Sequence, residues 1–148
     1  MRVLFVASYY KPAYVYGGPA RSVPMLCEGL ARLGVDVSVY TTNANGKDNL
    51  SKSTFSELVS GVAVTYFQRF VRPFGRFFYA PELGRKVRSE MRGFHLAYLC
   101  GTMTYPIIPA RIAALESKVP YIISPRGMLM EWCLRQKMLK KKLYMSAI

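Results

Sequence analysis

Residues 3–7, Val-Leu-Phe-Val-Ala, form an unbroken apolar and mostly β-prone run at the very start of the chain. A run with no polar residue to mark a solvent side is the pattern of a strand buried on both faces of a parallel sheet. Parallel strands cannot be joined by tight turns, so helices must alternate with strands along the rest of the chain. Gly17-Gly18-Pro19-Ala20-Arg21-Ser22 opens such a helix, with Pro19 suited to its first turn and Gly34 placed as its C-terminal cap. Val23, Leu26, Leu30 and Leu33 recur at the spacing of one buried face, and Pro24 is expected in the first turn, where a missing N–H does no harm. Residues 35–41 alternate and are rich in β-branched side chains, which predicts a second strand and completes a βαβ unit.

Residues 42–61 are polar and read as a mobile loop. A third strand is expected over residues 62–67, a basic helix over 81–92, and a short buried strand over 96–99 that ends at Gly101. A helix over 105–117 carries Ile108, Ile112 and Leu115 on one side, and a last strand over 120–124 is stopped by Pro125. From about Met130 the chain reads as helical to its end, with Trp132, Leu139 and Leu143 on one stripe and Lys140, Lys141 and Lys142 mostly off it. No stop signal accompanies Ser146-Ala147-Ile148, so a truncated chain is expected. Strands alternating with helices predict one α/β domain: an open, mostly parallel sheet with helices on both faces. Its 148 residues, 51% of them hydrophobic, suffice to bury a core.

The charge is lopsided. Lys and Arg number 21 against 8 Asp and Glu, a formal net charge of +13, which attracts lipid headgroups, nucleic acid or phosphorylated substrates. No recognition helix or RNP-type motif supports nucleic acid, and it is set aside as a partner. Cys27, Cys100 and Cys133 lie far apart in odd number without a CxxC pair, so neither a metal site nor a disulfide framework is expected, and reduced thiols fit a cytoplasmic chain. The N-terminal apolar run is too short for a signal peptide, and Tyr9-Tyr10-Lys11-Pro12 is no cleavage site. No apolar stretch approaches the roughly 18 to 20 residues of a transmembrane helix.

In open parallel sheets ligands bind beyond the carboxyl ends of the strands, which singles out residues 9–21, 100–105 and 125–130. Gly17 and Gly18 could bring backbone amides and a helix N-terminus up to a phosphate, or could simply form a tight turn. The pair is neither a GxGxxG fingerprint nor a P-loop, since no such spacing and no GK[ST] follows. Arg126, just after a strand and beside Gly127, is placed either to hold an anionic substrate group or to make a surface ion pair. His95, the one histidine, precedes its strand at the wrong end. Cys100 ends that strand on the right side, but a lone thiol without a nearby imidazole is most simply a small buried hydrophobe. Arg69, Arg72 and Arg76 interleave with Phe70 and Phe74, which makes them membrane-facing candidates at an anionic interface or a solvated basic face over core aromatics.

Met1-Arg2-Val3-Leu4-Phe5-Val6 with Tyr9-Tyr10-Lys11-Pro12, then Tyr16-Gly17-Gly18-Pro19-Ala20-Arg21, and later Ser124-Pro125-Arg126-Gly127-Met128-Leu129 followed by Trp132, resemble in their order the N-terminal domain of glycosyltransferase family 4. The resemblance implies the N-terminal, acceptor-side, Rossmann-like half of a GT-B fold. It implies a retaining enzyme that needs no metal or cofactor. Such an enzyme takes a nucleotide-sugar, UDP- or GDP-linked, as donor and a glycan or lipid-linked molecule as acceptor. The C-terminal nucleotide-sugar-binding domain is then absent, and this fragment alone is expected to be inactive. A role in cell-envelope polysaccharide synthesis, in the cytoplasm or peripherally at the inner face of the plasma membrane, follows from the same resemblance. Gly17, Gly18, Arg21, Arg126 and Gly127 would face donor phosphate or acceptor. One departure stands out. The family pattern Asp-x-x-His-x-His-Gly is here His95-Leu96-Ala97-Tyr98-Leu99-Cys100-Gly101, so Tyr98 and Cys100 replace the histidines and Cys100 occupies the place of an active-site imidazole.

Overall fold

A computed structural model describes residues 1–71 and 77–128. The N-terminal apolar run is strand β1 (Arg2–Ala7), and it lies inside the sheet with a parallel neighbour on each edge. On one side it pairs with β2 (Asp36–Thr42), Val3 opposite Val37 and Phe5 opposite Val39. On the other it pairs with β7 (Leu96–Cys100), Val3 opposite Leu96 and Ala7 opposite Cys100. The sheet is completed by β5 (Phe55–Val59), β6 (Val62–Phe67) and β8 (Tyr121–Ser124), in the order β5-β6-β2-β1-β7-β8. All neighbours are parallel except β5 and β6, which form an antiparallel hairpin at one edge.

The two-residue period of a strand divides β1 between two cores. Val3, Phe5 and Ala7 pack with Val37, Val39, Val62 and Val64 under helix α1 (Pro19–Arg32). Leu4 and Val6 pack on the opposite face with Leu83 and Val87 of helix α2 (Pro81–Glu90) and with Ile107 and Ala110 of helix α3 (Ile107–Ser117). Leu4, Val6, Leu83 and Val87 are all fully buried, each contributing about 1.5–3 kcal/mol relative to exposure. The expected open α/β sheet covered on both faces is therefore what the chain forms.

Four expectations are corrected. The buried face of α1 is Ala20, Val23, Pro24 and Cys27; of the expected series Val23 is buried and Leu30 packs partly buried against the core, but Leu26 is 37% and Leu33 81% exposed. Pro24 is the sixth helical residue, past the first turn, so the usual bond to the Ala20 carbonyl has no donor. Likewise α3 buries Ile107, Ala110, Ala113 and Ala114 and turns Leu115 out to 52% exposure. The reason is close approach. A methyl group added at Gly84 of α2 would sit 2.8 Å from the Tyr105 hydroxyl and 3.3 Å from Pro109, so only small residues fit where the helices meet each other and the sheet. Finally, residues 42–61 are not one loose loop. They hold β5 and a small hairpin of β3 (Ala44–Asn45) and β4 (Asp48–Asn49), turned at Gly46 with φ +67°. The expected C-terminal helix with Trp132, Leu139 and Leu143 lies outside the described residues.

Gly34 does cap α1. Its φ is +80°, and the Val35 N–H bonds to Leu30 O while the Gly34 N–H bonds to Ala31 O, the paired bonds of a Schellman motif. The corrected faces give a direct test by urea denaturation: Leu115→Ser should change stability by less than about 0.5 kcal/mol, whereas Ala110→Leu should cost about 1–3 kcal/mol by overpacking.

Candidate functional site

The chain leaves β1 toward β2 on one side and later returns through α2 to β7 on the other. That reversal is the topological switch point, and the crevice beyond the carboxyl ends of β1 and β7 is where such sheets receive ligands. The loops on its two sides are tied together. The Ser8 hydroxyl donates to Thr104 Oγ1 at 2.7 Å in a buried contact, and the Thr42 hydroxyl donates to the Ser8 carbonyl.

Arg126 follows β8 directly and has φ +50°, with Gly127 at +81°. A left-handed arginine costs about 1 kcal/mol or more and persists only where its surroundings enforce it. Here the turn is closed by the Met128 N–H bonding to Pro125 O, and the Met128 thioether accepts from the Thr102 N–H at 3.4 Å. The result swings the guanidinium inward over the crevice. Nη1 donates to Ser22 Oγ on α1 at 3.3 Å, and the same head lies beside the Cys100 thiol. Its Nε is shut away from solvent and has no oxygen or nitrogen partner among the described residues. Ala7, Ser8, Tyr9, Pro19, Val23, Cys100 and Gly101 complete the lining. The enclosed space is about 20 Å³, room for one water-sized group rather than a sugar.

Gly17 and Gly18 stand exposed at the mouth and differ in kind. Gly17 has φ +76° and ψ −139°, a conformation that only glycine adopts comfortably. Gly18 caps α1 with ordinary helical angles, φ −51° and ψ −51°. Nothing lies within 4 Å of a methyl group added at Gly18, so neither backbone nor packing asks for glycine there. Arg21 turns away from Arg126, its guanidinium 4.9 Å from the centre of the Tyr14 ring.

Cys100 ends β7 nearly buried, and burial pushes its thiol up to about 12 although the Arg126 charge pulls the other way. Burial pushes Cys27 up to about 12 as well. Neither is a thiolate near neutrality. Tyr98, the other departure from the family pattern, stacks on Phe5 with ring centres 4.8 Å apart, inside the α1-side core. His95 is exposed at the opposite end of the sheet, where its Nδ1 accepts from the Arg2 N–H.

Arg69 was expected to face outward and does not. It is 3% exposed, its Nε donating to Asn49 Oδ1 and its Nη2 to the carbonyls of Asp48 and Gly46, with the head 5.8 Å from the Phe78 ring centre. A guanidinium satisfied by backbone carbonyls belongs to the fold rather than to a membrane surface. Phe70 is exposed, while Arg72, Phe74 and Arg76 lie outside the described residues. Among the described residues no group of three or more His, Cys, Asp or Glu could hold a metal ion, and no helix is long and apolar enough to cross a membrane.

Ser22 and Ser8 escaped the sequence reading, while Tyr9 and Thr104 fell in loops it singled out without being named for a role. Ser22 alone carried a signal, since it lies one helical turn after Gly18 on a helix whose N-terminus was already singled out.

An open, mostly parallel sheet with helices on both faces and a crevice at its switch point defines a Rossmann-like α/β domain. The chain belongs to the glycosyl transferase 4-like domain family, whose model matches residues 17–148. Among solved structures, the C-terminal domain (residues 78–226) of a hydrogenase from Pyrococcus furiosus is similar with a TM-score of 0.51 and 17% identity, over 83% of this chain and 90% of that one. At that identity the likeness concerns the fold alone. No curated protein matches the chain.

The thiols yield a prediction with a definite sign. Both titrate near 9 when unperturbed and are pushed to about 12 in the fold, so from pH 9 to about 12 the unfolded chain releases protons that the folded chain keeps. Their contribution to stability is complete below pH 9 and is lost as pH rises through 12. In a Cys133→Ser background, a disulfide exchange reagent at pH 8 should leave Cys27 and Cys100 unmodified in the native chain and modify both in guanidinium. Native reaction at the unfolded rate would contradict this burial.

Proposed function

We propose that this chain is the acceptor-side domain of a retaining GT-B glycosyltransferase. It works with a second, C-terminal domain that holds a UDP- or GDP-linked sugar across the crevice, without a metal. The observation that carries this reading is the buried Nε of Arg126 at the switch point, which has no oxygen or nitrogen partner among the described residues. A desolvated guanidinium lacking such a partner fits an anionic group of a ligand, and bidentate recognition of phosphate is what its planar fork does best. In the transfer the anomeric carbon parts from the nucleotide's phosphate oxygen and joins an acceptor hydroxyl oxygen, whose proton leaves with the released phosphate. Arg126 stabilises the charge that grows on that phosphate. Gly18, open and unneeded by the fold, lets the phosphate come close to the amino end of α1, with Gly17 setting the turn before it. Gly127 permits the turn that aims Arg126, and Arg21, exposed on the first turn of α1, would be open to the acceptor. Cys100 acts as neither base nor nucleophile, because its thiol stays protonated.

Two experiments test this. The 148-residue chain alone should transfer no sugar from any UDP- or GDP-sugar, and robust turnover by it would sink the two-domain reading. In the protein carrying both domains, Gly18→Ser should leave the melting temperature unchanged or slightly raised, since serine caps well, while cutting kcat/KM for the donor at least about tenfold. Arg126→Ala should cost about 10²-fold or more in kcat. A fully active Gly18→Ser enzyme would show that the open space is not used.

A further inference from the structure

A trough opens on the α2 side of the sheet, beside that helix and over β6 and β5, where Ser56, Leu58 and Ala63 stay exposed. Val37, Val39, Val62 and Val64 point to the opposite face, into the core under α1. Their neighbours in the chain therefore share this one. The register pairs Ser38 with Ala63, and Thr65 with both Tyr40 and Ser56, so these side chains stand together as a floor. Glu82 and Lys86 of α2 form one wall. The trough measures about 380 Å³, within the range of small-molecule sites, and shares no described residue with the crevice under Arg126.

The floor is hydroxylated rather than apolar, and its groups are held in place. Ser56 Oγ lies 2.9 Å from Thr65 Oγ1, the Thr54 hydroxyl donates to Glu82 Oε2 across the trough, and the Tyr40 hydroxyl donates to Glu90. A hydroxyl donates once and can accept twice, so these bonds leave acceptor sites open, and Glu82 Oε1 has no hydrogen-bond partner among the described residues. The charge balance is also a local exception. Lys86 pairs with Glu90, and Glu82 adds a second carboxylate, on a chain whose net charge is +13. A phosphate or any other polyanion finds no excess of cations here, and an apolar ligand would strand the hydroxyls without water. What matches the lining is a neutral ligand whose own hydroxyls both give and accept hydrogen bonds.

We propose that this trough binds an uncharged oligosaccharide, as a second glycan contact on the face of the sheet opposite α1. Adjacent sugar hydroxyls donate to Glu82 and exchange hydrogen bonds with Ser38 and the Ser56–Thr65 pair, while Lys86 donates to a sugar oxygen. The inference goes beyond the transfer reading, since binding here uses neither Arg126 nor a second domain.

The test is amide NMR of the 148-residue chain titrated with maltohexaose, cellohexaose and mannohexaose as neutral probes. At least one should bind saturably, with shift changes centred on Ser38, Ser56, Thr65 and Glu82, and with little dependence on salt because no net charge is neutralised. Thr65→Val and Glu82→Gln change the hydrogen-bonding capacity at nearly constant shape, and each should weaken that sugar about fivefold or more. Neither position is buried, so the fold survives both substitutions, which circular dichroism verifies. Binding of none of the three sugars overturns the proposal. So do shift changes centred on Ser8, Cys100 and Gly101, which would put the sugar in the crevice, unchanged affinity in both variants, and binding abolished by salt. Transfer is not the readout, so a failure of the two-domain reading leaves this binding standing, and absence of binding leaves that reading untouched.

Discussion

Both cores and the crevice depend on β1 being packed on two faces and hydrogen-bonded on two edges. Because the strand has no solvent side, its alternate residues must be met by helices above and below, and α1 and the α2–α3 pair meet them. Because it has two parallel neighbours, the chain must leave in one direction and come back in the other. The crevice is a by-product of that reversal: the loops after β1 and β7 diverge, and the amino end of α1 is left pointing into the gap. The crevice therefore sits where the fold cannot close on itself, and the side chains that line it come from segments far apart in the chain.

Into that gap the fold sets one arginine under constraint. The left-handed turn at Arg126 is a local cost that the Met128 contacts and the Ser22 hydrogen bond hold in place. A solvated surface arginine would gain nothing from such a turn. Fixed in this way the guanidinium loses little further freedom on meeting an anion, and its partly desolvated position strengthens the interaction. Arg69 shows the opposite use of the same residue. It is saturated by carbonyls from the β3–β4 hairpin and serves as an internal clasp.

What was legible in the sequence follows from which signals are local. β1, β2, β6 and β7 were readable because interior strands carry unbroken or alternating β-branched runs, and β8, an edge strand, because Tyr121-Ile122-Ile123 is β-prone and Pro125 stops it. β5 was not, since Phe55-Ser56-Glu57-Leu58-Val59 is an edge strand whose residues are half solvated and whose pattern imitates a loop. The helix faces were misjudged for a physical reason: where α3 lies close to its neighbours, alanine is what fits, and the larger Leu115 is turned outward. Arg126 and the Gly17-Gly18 pair could be placed at this edge of the sheet because they follow parallel strands, and the fold does bring them there. The orientation of Arg69 could not, because arginines alternating with aromatics look the same in sequence whether they face water or clasp a hairpin. Ser22, Tyr9 and Phe78 gain their roles from contacts distant in the chain.

The replacement of an imidazole by Cys100 is tied to this architecture. A histidine at the end of β7 needs a solvated or hydrogen-bonded niche, whereas the niche here is nearly dry and lies against the Arg126 cation. An imidazole in that place would be disfavoured as a cation by both burial and the neighbouring positive charge. The thiol is small and neutral, and it lets the guanidinium lie close beside it at the floor of the crevice. What stands at this end of β7 is therefore a neutral thiol beside a fixed positive charge. In the proposed transfer such a charge would polarise the departing phosphate, which is itself the nearest base for the acceptor's proton.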